Sequence, residues 1–236
     1  WWLSPPCQPY CLRGNRLDLD DPRGASLKRL MGALAEMRDG DLPTRIALEN
    51  VEGFGDSAAR ELVLQVLRSR GYHLAELLLC PTSLGVPSRR PRYYLAASRV
   101  AAPLQDPPPA REVRPLAAYL DEPDDHQLPP LLLPPEVLES YGSGLRIVDP
   151  SAPAAYTTCF TSGYGKSVMH AGSYIRCRQG IRRFSPGELA RLLHLPEGFR
   201  FPAGMSLRRK WHFLGNSLSV VAVREVLRRL GLQVEP

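Results

Sequence analysis

The alternation of strand and helix patterns over the first hundred residues most narrowly limits the fold. One amphipathic helix pattern starts at Ser26, and a second covers residues 57–70 with Gly71 as its stop. Short apolar strand patterns lie at residues 45–48, 75–79 and 92–96. Strands that alternate with helices predict an α/β domain in which helices pack on a sheet.

A proline-rich stretch interrupts this alternation. Ten of the 24 prolines lie between Pro103 and Pro135. Because proline lacks an N–H donor and fixes φ, we expect neither regular helix nor central strand there. Helical patterns return at Ser185, which is followed by Pro186 and Glu188 in the order of a capping box, and a last helix is predicted from about Ser217.

Composition excludes several classes of protein. The chain is 44% hydrophobic and 23% charged, as is usual for a globular protein, and has no apolar run near the ~18–20 residues of a transmembrane helix. Its five cysteines are scattered and lack paired C-x-x-C spacing. This pattern favours free thiols in a reducing compartment, the cytoplasm or nucleus, over a disulfide framework or a metal site. We expect no membrane association and no bound metal.

Positive charge is concentrated towards the end of the chain. The formal net charge is +6. The basic residues that cluster in the last quarter are Arg176, Arg178, Arg182, Arg183, Arg208, Arg209, Lys210, Arg224, Arg228 and Arg229. On charge alone, a nucleic-acid footprint and a solvated basic surface are both open.

Cys7 lies in an unusually rigid local sequence, Leu-Ser-Pro-Pro-Cys-Gln-Pro-Tyr, with prolines at positions 5, 6 and 9. Prolines on both sides fix the backbone torsions, which suits a thiol that must be aimed at a reacting atom. A packed structural cysteine is the alternative.

Three further motifs carry groups suited to chemistry. Glu49 ends an apolar strand, where ligands and catalytic groups collect in open α/β sheets. Arg90 and Arg92 enter another strand, and Gly215-Asn216-Ser217 forms a polar turn near the end. Taken singly, the three motifs are better explained as a loop-capping carboxylate, a solvated basic turn and a helix cap.

Together, and in this order, the four motifs resemble the cytosine-5 methyltransferase family. The matching segments are Pro6-Cys7-Gln8, Glu49-Asn50-Val51, Arg90-Pro91-Arg92 and Gly215-Asn216-Ser217. Within the family, the chain is most similar to the tRNA-acting branch, the aspartate-tRNA cytosine-5 methyltransferases formerly classed as DNA methyltransferases. That similarity lies in the proline-rich nucleophile segment, in residues 80–87, and above all in Cys159-Phe160-Thr161.

The resemblance implies a role for each matching residue. Cys7 would add to C6 of cytosine, and Glu49 would hydrogen-bond the exocyclic amine and N3. Arg90 and Arg92 would hold the base carbonyl and nearby groups. Pro6, Asn216 and Ser217 would contact the cofactor, S-adenosylmethionine. The residues expected to contact the nucleic acid are Gln8, Asn50, Cys159, Phe160, Thr161, Arg182, Arg183, Arg208 and Lys210, the last four by charge alone.

The resemblance also implies a substrate, cytosine 38 in the anticodon loop of aspartate tRNA. An unpaired loop base costs less to unstack than a base in a duplex. A DNA cytosine-5 methyltransferase and a non-catalytic RNA-binding product remain as alternatives. We expect a monomer.

One part of the family pattern is missing. The family begins with a strand, a glycine-rich loop, a helix and an acidic residue that hold the cofactor, whereas Cys7 is only the seventh residue here. Gly53-Phe54-Gly55 follows Glu49 and therefore lies in the wrong place. We expect a fragment that lacks its N-terminal cofactor-binding part and alone shows little cofactor affinity and no turnover. Micromolar binding in a calorimetric titration would overturn this.

These patterns predict a partial doubly wound, Rossmann-like methyltransferase sheet with a smaller target-recognition domain. The predicted bounds are 1–98 for the catalytic part, 99–183 for the recognition region with its proline-rich insertion, and 184–236 for helices that return to the catalytic part.

Overall fold

The computed structural model describes residues 1–11, 17–108, 111–122 and 129–233. The chain divides into two compact units. Unit 1 comprises Trp1–Leu79, Pro91–Pro108 and Val223–Pro236, and unit 2 comprises Cys80–Arg90 and Pro109–Ala222.

Unit 1 contains a four-stranded sheet with the order β1-β2-β4-β3. Strand β1 pairs in parallel with β2, and β4 runs antiparallel to both β2 and β3. The strands are β1 (Trp2–Leu3), β2 (Arg45–Val51), β3 (His73–Leu79) and β4 (Arg92–Ser98). Because β1 and β2 are parallel, the segment after Leu3 and the end of β2 lie at the same edge of the sheet.

Two helices complete the core of unit 1, namely α1 (Ala25–Glu36) and α2 (Ala58–Ser69). Leu34 of α1 and Leu67 of α2 belong to the same buried cluster as Leu48 and Leu95, which face each other across β2 and β4. Side chains alternate along a strand, so Glu49 and Tyr94 point to the opposite face of the sheet.

Unit 2 contains a smaller sheet with the order β5-β6-β7 and helices α3, α4 and α5. These elements are β5 (Arg146–Val148), β6 (Ser173–Cys177), β7 (Gly180–Arg183), α3 (Pro135–Tyr141), α4 (Pro186–Leu192) and α5 (Leu207–Asn216). Its core is rich in aromatic side chains, with Tyr164, Tyr174 and Phe184 fully buried. Helix α6 (Val220–Arg229) follows, and the division between the units falls within it.

Short 3-10 helices connect the larger elements. Those of the described residues are Gln8–Tyr10, Asp18–Asp20, Pro22–Gly24, Glu52–Asp56, Pro81–Leu84, Leu116–Tyr119, Pro129–Leu131 and Gly142–Gly144. Over the described part of the chain, no helix is both long and apolar enough to cross a membrane.

The structure confirms the predicted α/β class and the strands and helices of the first hundred residues. In the described part of the proline-rich stretch, Pro103 to Pro134 form 3-10 turns, loops and an isolated β-bridge between Leu132 and Arg182, without regular helix or strand, as predicted; α3 starts at Pro135. Helix α5 was missed: the sequence places a helix start near Ser217, but Ser217 is the C-cap of α5 and α6 starts at Val220. The predicted segment 184–236 is divided, since only Val223 onwards belongs to unit 1.

A buried ion pair fixes the start of α4. The capping box at Ser185 forms as predicted, with Ser185 Oγ accepting from the Glu188 N–H. Glu188 is 0% exposed, and its carboxylate accepts from both Nη atoms of Arg182 at 2.8 and 2.7 Å. It also accepts the Ser185 N–H at 2.7 Å and the Asp121 N–H at 3.0 Å. One carboxylate therefore joins β7, α4 and the segment at Asp121.

Replacing this carboxylate should strongly destabilise unit 2. Glu188→Gln leaves the Arg182 guanidinium buried without its counter-charge, and we expect a loss of about 3–5 kcal/mol in the free energy of unfolding. Urea denaturation followed by circular dichroism measures this. The matched control is Glu197→Gln, an exposed residue of unit 2, which should change stability by less than ~0.5 kcal/mol. Equal stability of the two variants would contradict the assignment.

Candidate active site

The segment that carries Cys7 follows β1 at the edge of the sheet in unit 1. Cys7 is half-buried and caps the 3-10 helix Gln8–Tyr10, in which the Tyr10 N–H donates to the Cys7 carbonyl at 3.0 Å. The rings of Tyr10 and Phe54 pack edge to face at 4.9 Å, which anchors the far end of the turn. Pro6 and Gln8, on either side of Cys7, are exposed.

Asn50 holds this segment against β2. Its side chain is 1% exposed, and its Nδ2 donates to the Pro5 carbonyl at 3.1 Å. Its Oδ1 accepts the Val51 N–H at 2.8 Å. Both polar atoms of the side-chain amide thus bind backbone, which favours positioning of the Cys7 segment over direct contact with a substrate.

Gly53 makes a second close approach to the same segment. A Cβ atom at this position would lie 2.4 Å from the Tyr10 carbonyl oxygen, so a larger residue would displace backbone. Sequence reasoning rejected Gly53-Phe54-Gly55 as a cofactor loop and assigned it no role. A glycine just after a strand that carries a candidate catalytic residue is a usable signal of close backbone contact.

Glu49 and Arg92 form an ion pair on the other face of the sheet. Arg92 lies opposite Val51 in the β2–β4 register, and Glu49 lies opposite Tyr94, so the two side chains are diagonal neighbours. Arg92 Nε is 3.3 Å from Glu49 Oε1, and both side chains are largely buried. Arg92 Nη1 also donates to the Pro91 carbonyl at 2.8 Å. The pair supplies a carboxylate with a guanidinium beside it, at the sheet edge that carries Cys7.

The positive charge of Arg92 acts on the thiol of Cys11, in the segment that follows β1. Burial, followed by contact with the Cys7 thiol, raises the pKa of Cys11 to about 11, while the positive charges of Arg92 and Arg23 act to lower this pKa. Three of the four predicted catalytic residues, Cys7, Glu49 and Arg92, therefore belong to one region of unit 1.

Arg90 has a different environment, inside unit 2. Its guanidinium is 8% exposed. Nη1 donates to Cys159 Sγ at 3.0 Å and to the Phe160 carbonyl at 2.9 Å. Nη2 donates to the Gly215 and Ser217 carbonyls at 3.1 and 2.9 Å. Arg90 thus ties the predicted marker Cys159-Phe160-Thr161 to the predicted Gly215-Asn216-Ser217 turn.

Gly215 lets these two segments touch. A Cβ atom there would lie 2.3 Å from the Thr161 backbone, a distance that no side chain tolerates. Phe160 packs into the aromatic core against Tyr164 and Phe184, whereas Thr161 is exposed. His212, which sequence reasoning missed, contacts the Ser162 carbonyl through Nδ1 and Asn216 through Nε2, each at 3.3 Å. Its four-residue spacing from Asn216 on one helix is the signal that could have identified it.

The four basic candidates for nucleic-acid contact differ in accessibility. Arg208 is exposed, and Lys210 lies over the Phe201 ring at 5.6 Å. Arg183 is half-buried over the Trp211 ring at 5.7 Å. The Arg182 side chain is 8% exposed and paired with Glu188, so it stabilises the fold. We therefore do not propose that Arg182 contacts the nucleic acid.

Comparison with known proteins establishes the family. Residues 2–124 match the C-5 cytosine-specific DNA methylase family, and the chain belongs to that family. It is 30% identical to a tRNA (cytosine(38)-C(5))-methyltransferase of Schizosaccharomyces pombe, covering 98% of this chain and 76% of the relative. It is 28% identical to the human protein of the same name, covering 97% and 81%.

The fold agrees with this membership. A crystal structure of the S. pombe Dnmt2 methyltransferase superposes with a TM-score of 0.80 at 29% identity, covering 98% of this chain and 79% of that one. The predicted cytosine-5 methyltransferase family is confirmed, and S-adenosylmethionine is the methyl donor that the family implies.

Removing the Arg90 guanidinium should destabilise unit 2, because the hydrogen bonds described for it all end in that unit. Arg90→Ala leaves three backbone carbonyls, two of them buried, without their charged donor, and we expect a loss on the order of 3 kcal/mol in the free energy of unfolding. Arg90→Lys should recover only part of this, since an ammonium lacks the planar fork that serves two segments at once. Thermal unfolding of both variants beside Arg89→Ala, an exposed neighbour, tests the assignment. A matching effect at Arg89 would refute it.

Proposed function

We propose that this protein methylates C5 of an unpaired cytosine in tRNA, at the position corresponding to cytosine 38 of the aspartate-tRNA anticodon loop. The similarity to tRNA (cytosine(38)-C(5))-methyltransferases and the Cys159-Phe160-Thr161 marker support the tRNA substrate. The Glu49–Arg92 ion pair beside the Cys7 segment carries the chemical part of the proposal.

The proposed reaction starts at Cys7. Its thiolate adds to C6 of cytosine, which moves electron density onto C5. A carboxyl group of Glu49 hydrogen-bonds N3 and the exocyclic amine and stabilises the charge that develops in the ring. Arg92 holds Glu49 in place through their ion pair, and its guanidinium would also hydrogen-bond the base carbonyl. After methylation the C5 proton leaves, the C5=C6 bond re-forms and the Cys7 thiol is released.

Arg90 does not contact the base in this scheme. Its donors are directed to Cys159, Phe160, Gly215 and Ser217, so we assign it as a positioning residue that orders these two segments. This differs from the base-holding role that its motif suggests.

Two of the three residues assigned to the cofactor carry polar side chains. Asn216 and Pro6 are exposed, and Ser217 is half-buried with its hydroxyl donating to the Phe213 carbonyl at 2.9 Å. S-adenosylmethionine, when bound, supplies a methyl group on a sulfonium centre. Pro6, Asn216 and Ser217 would contact it. Gln8, Thr161, Arg183, Arg208 and Lys210 are the proposed contacts to the RNA.

All five cysteines lie in the described part of the chain, and none forms a disulfide. This supports an intracellular location, cytoplasmic or nuclear, and we expect the protein to act as a monomer.

Methyl transfer by the complete gene product tests the function. With aspartate tRNA as substrate, Cys7→Ala should reduce incorporation of labelled methyl groups to background, because the covalent step is lost. Cys177→Ala, a half-buried cysteine in β6, should keep its rate. Substituting uridine for cytosine 38 should abolish incorporation. A strong preference for duplex DNA would instead favour the DNA methyltransferase alternative.

Glu49→Gln should lower the methyl-transfer rate by about 10²–10⁴-fold, since an amide cannot share a proton with N3. The matched control is Glu52→Gln, an exposed carboxylate three residues further on, which should leave the rate unchanged. Tight tRNA binding that is insensitive to Cys7→Ala, with no methyl transfer by the unaltered protein, would favour the non-catalytic RNA-binding alternative.

A further inference from the structure

A large open groove lies in unit 2. It is lined by residues of β6, β7, α4 and the segment that leads into α5, and it encloses about 1760 Å³. A site for one small molecule usually encloses about 300–1000 Å³. The groove is therefore large enough for an extended ligand, and the residues that line it all belong to one unit.

Two phenylalanine rings line this groove. Phe199 and Phe201 pack edge to face, with ring centres 5.0 Å apart. Phe199 is 38% exposed, so part of its ring is open to solvent. The ammonium group of Lys210 lies over the Phe201 ring at 5.6 Å. An exposed aromatic ring with cations nearby can stack on a nucleobase, whichever base it is.

The backbone that carries Phe199 is held in a compact turn. The Phe199 N–H donates to the Pro196 carbonyl at 2.8 Å. Arg200 Nη1 donates to the carbonyls of Glu197 and Phe199 at 2.5 and 2.9 Å. Because the turn is already ordered, less conformational entropy is lost when a ligand binds to the ring.

The charges along the groove favour an anionic ligand. The lining includes five basic and three acidic residues. Glu188 is paired with Arg182. Asp121 is paired with Arg191, and Glu122 is the third acid. The other four basic lining residues are Arg176, Arg178, Arg200 and Lys210. The three arginines among these four are exposed, so they can meet phosphate groups.

We propose that this groove binds a single-stranded segment of RNA. Phe199 stacks on a base, and the exposed arginines neutralise phosphates of the same strand. Neither contact reads the edge of a base, so binding tolerates different sequences. That this RNA is the methylated substrate rests on the proposed function, whereas binding of a single strand does not.

Binding of a fluorescein-labelled oligouridine tests the groove with this chain alone. The probe has about 12 nucleotides, since one single-strand site covers about 4–16. Fluorescence anisotropy measures the dissociation constant. Phe199→Leu keeps an apolar side chain but removes the ring, and it should weaken binding at least about fivefold. Phe199→Tyr keeps the ring and should bind like the unaltered chain.

The matched control is Phe213→Leu, which removes an exposed ring of α5 outside the groove lining. This variant should bind like the unaltered chain, and thermal unfolding checks that each variant is folded. Absence of binding by the unaltered chain, or equal affinity of Phe199→Leu, would overturn the proposal.

Two other probes separate stacking from attraction by charge. An RNA duplex of the same length should bind more weakly than oligouridine, because its bases are already stacked on one another. Polyglutamate carries negative charge without bases and should also bind more weakly. Equal affinity for the duplex would refute stacking, and tighter binding of polyglutamate would favour an acidic polypeptide as the ligand instead.

The salt dependence of oligouridine binding tests the arginines. For a single strand, the slope of log K against log salt is about −0.7 per neutralised phosphate. Arg178→Ala should therefore make the slope shallower by about 0.7, whereas Phe199→Leu should leave it unchanged. Arg146→Ala, which removes an exposed arginine of β5 outside the lining, is the control. Unchanged slopes in both Arg176→Ala and Arg178→Ala would contradict the phosphate contacts.

Methyl transfer by the complete gene product separates this proposal from the proposed function. In Phe199→Leu the KM for aspartate tRNA should rise at least about threefold with little change in kcat, because a contact made equally before and during the reaction affects KM alone. An unchanged KM would overturn the assignment of the groove to the methylated RNA. If oligouridine binds as expected but no methyl transfer is found, the proposed function fails and the groove stands.

Discussion

The antiparallel pairing of β2 with β4 is the constraint on which the candidate active site depends. Its register sets Val51 against Arg92 and Glu49 against Tyr94, which makes Glu49 and Arg92 diagonal neighbours. A slip of one residue would turn Arg92 to the opposite face of the sheet and break the pair. The register is secured by the apolar residues of the other face, where Leu48 meets Leu95 in the core against α1 and α2. Burial of hydrophobic side chains thus aims the charged ones.

Arg90 and Arg92, which are separated only by Pro91, make different contacts. Arg92 lies in β4 and pairs with Glu49. Arg90 is buried in unit 2 and donates to the carbonyl groups of Phe160, Gly215 and Ser217. Both use the planar fork of the guanidinium, one toward a carboxylate and one toward backbone oxygens. The motif therefore indicates two arginines that each use several guanidinium N–H groups. It does not tell an arginine proposed to contact the base from one that holds neighbouring backbone segments in place.

The sequence predicted the elements whose periodicity is local and missed what depends on tertiary contact. Helix α2 and the capping box at Ser185 were recognisable because caps and apolar spacing lie within a few residues. Helix α5 was not, since its first turn reads Arg208-Arg209-Lys210 and its apolar stripe consists of Leu207, Trp211 and Leu214. The burial of Arg182 could not be foreseen either, because it depends on Glu188 reaching back from α4. Motif order predicted Cys7, Glu49 and Arg92 as site residues, and the structure brings Glu49 and Arg92 together. The contact of Asn50 with the Pro5 carbonyl was not predicted, since no local pattern indicates which backbone group a buried amide meets.

The Cys7 segment is held by its backbone. Asn50 binds the Pro5 carbonyl, and Gly53 leaves room for the Tyr10 carbonyl. Neither contact depends on which side chains the segment shows to solvent at Ser4 or Gln8, both of which are exposed. Outward-facing positions can therefore change during evolution while the thiol keeps its direction.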